Sequence, residues 1–395
     1  MKNKIGSFSL MKRMNTSLIL GNIRSKGQIS RIELAKATGL TAATVTNITS
    51  WLIDNGFVEE CSVGASTGGR KPVLLRLRQD RFYAASAYIS PVGVEFAVSD
   101  FGANIIYRQS RCFDGDKAPE VCTAYISEQL KLFCESRDCI VAGLGLGVHG
   151  ITDAQRGDIV NSPILKWKNV PVKSMLSDAC GLCVYPENDV RLMATAERWY
   201  GTASACEDFV YLYVGSGVGS AVISSGSLLR GVNNAAGEIG HSIIDPSGPV
   251  CECGKRGCLQ AHTGESAMLR TLQENLSLSD SLSSQSTCAD IFAAYKTGDK
   301  AACAVVEREV SYLSAAVFNI ANLFDPSLIV VGSGIDGFCE AVVPRLCDAT
   351  VGAMGMREQS CPVCASVLGS DAVLLGGIAT VLDRVCEDPA RLLER

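Results

Sequence analysis

The chain has 395 residues, 47% of them hydrophobic, so it is too long for one core and we expect two or three domains. Its longest apolar run, residues 209–223, is interrupted by glycines and is shorter than the about 20 residues of a membrane helix. No apolar segment follows the N-terminal lysines, so we expect a cytoplasmic protein with reduced cysteines and no membrane contact. The net charge of −5 conceals an asymmetry, because residues 1–81 contain 13 Lys and Arg against 5 Asp and Glu. This basic segment is expected to bind a polyanion.

Two short helices are predicted first. The first helix is expected to begin at the cap residue Asn15 and to end at Gly27. Ser30 and Glu33 have the spacing of a capping box, which predicts the start of a second helix. The residues of the first helix that should point inward are Leu18, Ile19, Leu20 and Ile23.

A tight turn containing Gly39 leads into a third helix that should run to about Asn55. Val45, Ile48 and Leu52 recur at helical spacing and should pack inward. Small polar side chains then occupy the outer, N-terminal part of the helix, where they could enter the major groove of DNA. The predicted DNA-binding residues of this helix are Thr41, Ala42, Thr44, Thr46 and Asn47.

Two strands, residues 57–60 and 73–77, follow the third helix and are joined by a glycine-containing loop. Arg70 and Lys71 in this loop could enter the minor groove or contact phosphates, as the wing of a DNA-binding domain does. Residues 1–80 are therefore predicted to form a winged helix-turn-helix domain that binds double-stranded DNA. In the alternative interpretation, a three-helix unit mediates protein contacts and its charges form a solvated face.

The remaining chain shows the same local design twice. Residues 82–98 and 209–223 each form a strand, a glycine-containing turn and a second strand, which indicates an internal duplication. In nucleotide-binding folds of this kind, the turn of such a hairpin offers backbone N–H groups to phosphates. The duplication therefore predicts an α/β domain with two related halves.

Asn188 and Asp189 stand where a predicted strand feeds a helix. Side chains at such a position face a cleft, so both could bind ligand hydroxyls, and a carboxylate there could accept a hydroxyl proton during phosphoryl transfer. The alternative is that the two residues only cap the helix of residues 190–200.

His241, Cys251, Cys253 and Cys258 supply one nitrogen and three sulfur ligands. This set fits a tetrahedral structural Zn²⁺ with no open coordination position. Free thiols are the alternative, because the chain has 18 cysteines.

The chain resembles the ROK family of repressors, open reading frames and kinases, in particular regulators of the xylose or N-acetylglucosamine repressor type. The matching motifs are Gly-Leu-Gly-Val-His-Gly at 145–150, Glu-Asn-Asp at 187–189, the glycine turn at 215–219, Gly-Glu-Ile-Gly-His at 237–241 and the cysteine segment 251–259. The resemblance implies that residues 81–395 adopt the two-lobed actin-like (sugar kinase/ribonuclease H-like) ATPase fold. The small lobe should cover about 81–195 and the large lobe about 196–395.

The resemblance also implies a sugar site. The residues that match sugar-binding positions of the family's kinases are Asn188, Asp189, Glu238, His241 and Gln260. Gln260 replaces a glutamate, which keeps an acceptor but removes a charge, so the preference among sugar hydroxyls should differ. His149 occupies a position where the family usually has proline, and the sequence suggests no role for it.

Working ROK kinases carry an Asp-x-Gly-Gly-Thr type turn in the first hairpin, whereas this chain has Ile-Ser-Pro-Val-Gly at 89–93. The metal-binding carboxylate and one N–H donor are therefore missing. The predicted function is a DNA-binding transcriptional repressor without enzymatic activity that responds to a sugar or sugar phosphate. It should act as a homo-oligomer, a dimer or tetramer, on a palindromic operator.

Two other functions stay open. The first is an ATP-dependent sugar kinase with a regulatory N-terminus, in which Asp189 would be the catalytic base. The second is a module that binds a partner protein through its large domain.

Overall fold

The computed structural model describes residues 8–63, 72–137, 139–153, 155–350 and 361–394. The chain divides into two units. The first consists of Met1–Asp189 with Leu374–Arg395, and the second is Val190–Val373. Both chain crossings between the units fall within helices. No helix among the described residues combines the length and the apolar character needed to cross a bilayer.

The N-terminal elements form three helices and a small antiparallel sheet of order β1-β3-β2. We call residues 8–77 the reader. Its elements are α1 (Phe8–Lys26), β1 (Ile29–Ser30), α2 (Arg31–Thr38), α3 (Ala42–Asp54), β2 (Val58–Val63) and β3 (Val73–Leu77).

The start of α1 and the position of Leu18 were predicted wrongly. The helix begins at Phe8 and not at Asn15, because the Leu, Met, Lys and Arg residues before Asn15 are good helix formers. Leu18 is 44% exposed, since the buried stripe of α1 is formed by its neighbours Ile19, Leu20 and Ile23. The capping box of α2 is confirmed, with Glu33 accepting from the Ser30 amide at 2.8 Å.

The rest of the first unit is a five-stranded sheet of order β11-β7-β4-β5-β6, with a small sheet of order β10-β9-β8. The elements up to the first chain crossing are β4 (Phe82–Ile89), β5 (Gly93–Asp100), β6 (Ile105–Cys112), α4 (Pro119–Glu135), β7 (Ile140–Val148), β8 (Ile151–Thr152), β9 (Ile159–Ser162), β10 (Trp167–Val170), α5 (Val172–Cys180), β11 (Val184–Asn188) and α6 (Asp189–Tyr200).

The second unit contains another five-stranded sheet, of order β14-β13-β12-β15-β16, and two further helices, α12 and α13, end the chain. The elements are β12 (Phe209–Val214), β13 (Val218–Ser224), β14 (Ser227–Leu228), α7 (Leu259–His262), α8 (Glu265–Asn275), α9 (Cys288–Lys296), α10 (Lys300–Phe324), β15 (Leu328–Ser333), α11 (Phe338–Thr350), β16 (Val363–Ala365), α12 (Ala372–Glu387) and α13 (Ala390–Leu393). Short 3₁₀ helices span Ile239–His241, Leu276–Leu278 and Gly369–Asp371.

The two large sheets have the same topology. In each, an antiparallel hairpin is followed by an antiparallel edge strand on one side and by two parallel strands on the other. The internal duplication that the two hairpins predicted is therefore confirmed at the level of the sheets.

The reader shares one hydrophobic core with the large sheet of the first unit. The Phe57 ring of the reader stacks on Phe82 of β4 with the ring centroids 4.6 Å apart. Both side chains are fully buried. The same core includes residues of α12 that the sequence analysis assigned to the large lobe, namely Ile378, Val381, Leu382, Val385 and Cys386.

Helix α12 touches the sheet through glycines. A Cβ atom built on Gly145 of β7 would lie 2.5 Å from the Gly377 Cα atom, so the helix and strand backbones are in direct contact. Further along α12, Asp383 accepts a hydrogen bond from Arg24 of α1 at 2.6 Å. The Arg24 side chain is only 5% exposed, which makes this ion pair part of the packed interface.

Replacing Asp383 should loosen the reader. Asp383→Asn removes the charge opposite the buried Arg24, and we expect a loss of about 1 to 3 kcal/mol in the free energy of unfolding, measured by urea denaturation. Asp388→Asn is the matched control, because the Arg13–Asp388 pair at 3.4 Å is solvent-exposed. The control should lose less than about 1 kcal/mol. Equal losses in both variants would contradict this account of the interface.

Candidate functional site

Helix α3 presents the predicted DNA-binding residues at its N-terminal end. Thr41 caps the helix by accepting a hydrogen bond from the Thr44 amide at 3.2 Å. Thr41, Ala42, Thr46 and Asn47 are exposed and Thr44 is half-buried. The buried side chains Val45, Ile48 and Leu52 hold the opposite face of the helix against the reader core.

One of these side chains already has a partner within its own helix. The Thr46 hydroxyl donates to the Ala42 carbonyl at 2.8 Å, which leaves Asn47 as the exposed side chain with a full set of amide donors and acceptors for a base edge. Asn47 lines a groove of about 500 Å³ between α1 and α3, beside Lys12 and Trp51. Asn47 is therefore the reader side chain best suited to base recognition.

The positive charge of the reader is partly neutralised by ion pairs. At least five of its arginines contact a carboxylate at 4.0 Å or less, namely Arg13, Arg24, Arg31, Arg76 and Arg78. The charge count of the sequence thus overstates the charge that is available to phosphates. Exposed lysines such as Lys26 and Lys36 carry part of the remainder. Arg70 and Lys71, the predicted cations of the wing, lie outside the described residues.

The four predicted metal ligands come together. The ligand atoms of His241, Cys251, Cys253 and Cys258 all lie within 4.8 Å of one another. The Sγ atoms of Cys253 and Cys258 are 3.6 Å apart, and the same distance joins Cys251 Sγ to His241 Nδ1. Ligands bound to one tetrahedral zinc at about 2.3 Å would be roughly 3.7 Å apart, so the geometry fits a metal ion.

The backbone of the cysteine segment permits this geometry only with glycine at one position. Gly257 has a φ of 74°, and a Cβ atom on it would overlap the Asp245 carbonyl. Gly254 also has a positive φ, of 84°, but open space surrounds it. Cys251 and Lys255 close the loop through a backbone hydrogen bond of 2.8 Å.

Burial and the neighbouring thiols perturb these cysteines in opposite directions. Burial, with the nearby Cys253 and Cys251 thiols, raises the pKa of Cys258 to about 12. A hydrogen bond from the backbone at Lys255 lowers the pKa of the exposed Cys253 thiol. A bound cation would favour the thiolate form of all three.

Asn188 and Asp189 lie at the carboxyl end of β11 in the first unit. The Asn188 side chain donates to the Gly150 carbonyl at 3.1 Å, and Asp189, which is 5% exposed, accepts from the Tyr88 hydroxyl at 3.2 Å. These contacts orient both side chains at the ends of parallel strands, the usual ligand position in open α/β sheets.

Glu238, His241 and Gln260 lie together in the second unit. Glu238 immediately precedes the 3₁₀ helix that carries His241. Gln260 accepts a hydrogen bond from the Val218 amide at 3.3 Å, which ties α7 to the start of β13. Because His241 Nδ1 lies on the side of the sulfur cluster, its Nε2 is the ring nitrogen left for another partner.

Sequence reasoning missed Arg191. Its guanidinium, 3% exposed, donates to the Asn234 side chain at 2.7 Å and to the carbonyls of Asn234 and Ala236 at 2.8 and 3.0 Å. Arg191 thereby holds the loop that leads to Glu238. The signal that could have revealed it is a charged residue among the apolar side chains at the start of α6.

The turn of the first hairpin satisfies its own amides. The Ser90 hydroxyl accepts from the Val92 and Gly93 amides at 3.2 and 3.1 Å, and Pro91 has no N–H. Lys117 donates to the Pro91 carbonyl at 2.7 Å. The N–H groups that a phosphate would need are therefore occupied by a side chain of the chain itself.

Comparison with known proteins identifies the family. The family model described as ROK family matches residues 93–384, and the one described as winged helix-turn-helix DNA-binding matches residues 15–59. The chain belongs to the ROK family. The predicted fold class, a winged helix-turn-helix followed by the actin-like fold of ROK sugar kinases, is confirmed.

Similar proteins include regulators and kinases. A xylose repressor from Caldicellulosiruptor bescii is 30% identical over 400 residues, covering 98% of this ROK chain and 99% of that protein. The crystal structure of a ROK family transcriptional regulator, a homolog of the E. coli MLC protein, has a TM-score of 0.83 at 25% identity and covers 98% of this chain and 100% of that chain. A ROK glucokinase from Streptomyces griseus, in complex with glucose and AMPPNP, has a TM-score of 0.66 at 25% identity, covering 75% and 98%. The family alone therefore does not decide whether the chain is an enzyme.

Gly257→Ala should abolish metal binding, because the added Cβ atom overlaps a backbone carbonyl and displaces the loop that carries Cys258. Gly254→Ala is the matched control, since it introduces the same strain at positive φ but no overlap. Elemental analysis of the purified variants should find about one metal ion per chain in the control and little in Gly257→Ala. A full metal load in both variants would show that the overlap is accommodated.

Proposed function

We propose that the chain is a sugar-responsive transcriptional repressor of carbohydrate-utilisation genes. The observation that carries the proposal is the fusion of an exposed reader helix to a ROK unit through one shared core. The full-length similarity to a protein named xylose repressor supports it. Operator DNA is the partner of the reader, through Thr41, Ala42, Thr44, Thr46 and Asn47 of α3 with Arg70 and Lys71 of the wing.

The effector in this proposal is a small polyol. Asn188 and Asp189 of the first unit, and Glu238, His241 and Gln260 of the second, bind its hydroxyl groups. Carboxylate, amide and imidazole side chains accept from or donate to hydroxyls equally well. Two carboxylates in the set would repel a phosphate, so a free sugar is favoured over a sugar phosphate.

The metal in this proposal is a structural zinc held by His241, Cys251, Cys253 and Cys258. Three sulfurs and one nitrogen complete a tetrahedral shell without an open position, so the ion would supply folding energy to the loop and no catalysis. The protein's own contribution is the orientation of His241, whose second ring nitrogen is left to meet the effector.

We further propose that the chain is not a kinase. Phosphoryl transfer depends on positioning and on charge neutralisation at the phosphates. The first hairpin offers no carboxylate for magnesium, and its amides are bound by Ser90. The shared fold with the Streptomyces griseus glucokinase keeps a second candidate function, an ATP-dependent sugar kinase with Asp189 as base.

Repression by this protein would require a homodimer, or a tetramer of dimers, on a palindromic operator. The reader is packed into the first unit, so the effector would have to change the arrangement of whole first units in the oligomer and not the reader alone. Effector binding would then favour a spacing of the two α3 helices that does not match the half-sites.

The decisive test combines two assays on one ligand panel of pentoses, hexoses, amino sugars and their phosphates. We expect at least one free sugar to raise the melting temperature of the protein and to weaken operator binding in fluorescence anisotropy by about tenfold or more. With magnesium ATP, the same sugar should give no product.

Asp189→Asn serves as the control, because it should remove the melting-temperature shift while leaving operator binding without sugar intact. Two results would contradict the proposal. Sugar-dependent ATP turnover that Asp189→Asn abolishes would support the kinase, and unchanged operator affinity with every stabilising sugar would exclude the coupling.

Asn47→Ala and Arg70→Ala should weaken DNA binding in different ways. Asn47→Ala should reduce discrimination at one base pair by about 1 to 3 kcal/mol and leave the salt dependence unchanged. Arg70→Ala should weaken all sequences alike and lower the slope of log K against log salt by about 1. Anisotropy titrations at several salt concentrations, with specific and scrambled operators, separate the two effects. A shared pattern in both variants would contradict these roles.

A further inference from the structure

Three parallel strands of the first unit end side by side. Asn188 of β11 pairs with Val148 of β7, and Val148 pairs with Ile89 of β4. His149 and Gly150 connect the end of β7 to β8. His149 therefore stands in the row of residues that follows the carboxyl ends of these strands, where ligands bind in open α/β sheets.

Two buried polar atoms near this row have no hydrogen-bond partner among the described residues. They are His149 Nδ1 and Ser162 Oγ. Ser162 is fully buried and His149 is half-buried. A buried polar group without a partner costs free energy, and in native proteins such groups are nearly always satisfied by protein, water or ligand.

Gly150 joins the two atoms to Asn188. It follows His149 directly, and a Cβ atom on Gly150 would lie 3.0 Å from the Ser162 Cβ atom. The Gly150 carbonyl accepts from the Asn188 side chain at 3.1 Å. His149 and Ser162 thus flank the same glycine whose carbonyl orients a residue of the polyol set.

The chemistry of the two atoms indicates a hydroxyl as their partner. An imidazole nitrogen accepts or donates according to its tautomer, and a serine hydroxyl does both. A ligand hydroxyl can donate to one and accept from the other. A proline, usual at position 149 in the family, has no side-chain polar atom that could make this contact.

We propose that His149 and Ser162 bind a hydroxyl of the polyol effector, and that His149 thereby contributes to sugar specificity. The inference rests on the proposed function, because it assumes that a polyol binds beside Asn188. It adds to the site two side chains that the family motif does not include.

The test measures sugar binding by isothermal titration calorimetry, with D-xylose, D-glucose and their monodeoxy analogues as probes. His149→Ala and Ser162→Ala should each raise the Kd of the sugar that binds the native chain by roughly ten- to hundredfold. Ser86→Ala is the matched control, since the Ser86 hydroxyl is equally buried and also lacks a partner among the described residues, yet lies within β4. It should leave the Kd unchanged.

Two further measurements separate binding from folding. His149→Asn keeps a polar atom near the position of Nδ1 and should restore part of the affinity lost in His149→Ala. For the deoxy analogue that lacks the contacted hydroxyl, native chain and His149→Ala should bind equally. Melting temperature and operator binding without sugar should be unchanged in all variants that are compared.

The outcomes distinguish this inference from the proposed function. If no probe binds the native chain, the polyol site and this inference both fail. If a sugar binds native chain, His149→Ala and Ser162→Ala equally well, only the inference fails, and the two atoms are satisfied by ordered water or remain unpaired. A loss that is the same for every deoxy analogue would also overturn the specific contact.

Discussion

The shared hydrophobic core between the reader and the first unit is the constraint on which the rest of the structure depends. Phe57 stacks on Phe82, and the buried Arg24 pairs with Asp383 of α12. Helix α12 in turn lies against β7, because glycines at positions 145 and 377 let the two backbones touch. A reader held in this way cannot pivot on a flexible linker.

This constraint limits how a ligand signal could reach DNA. The chain passes between the two units at residues 189–190 and 373–374, and both crossings lie inside helices, α6 and α12. Asp189 begins α6, and α12 ends against the reader. A change at the ligand residues would therefore be transmitted through helices, which move as rigid elements, and not through loops that could absorb it.

The polar chemistry of the molecule is consistent with binding in place of catalysis. Around the strand ends, side chains are oriented by long-range contacts such as Tyr88 to Asp189 and Arg191 to Asn234. At the first hairpin, in contrast, Ser90 occupies the amides that a phosphate would need. Preorganised groups for hydroxyls thus coexist with a turn closed to phosphate, which is the arrangement expected of a sensor derived from a kinase fold.

The sequence by itself determined the features that depend on a few neighbouring residues. The capping box of Ser30 and Glu33, the left-handed Gly39 and the His-Cys metal set were predictable, because local hydrogen bonds and ligand spacing specify them. The family motifs likewise indicated the duplicated α/β fold. Only the tertiary structure decided that α1 begins at Phe8, that Leu18 is exposed and that the C-terminal helix packs against the reader. Those outcomes depend on burial and on pairs as distant as Arg24 and Asp383, 359 residues apart, which no local pattern encodes.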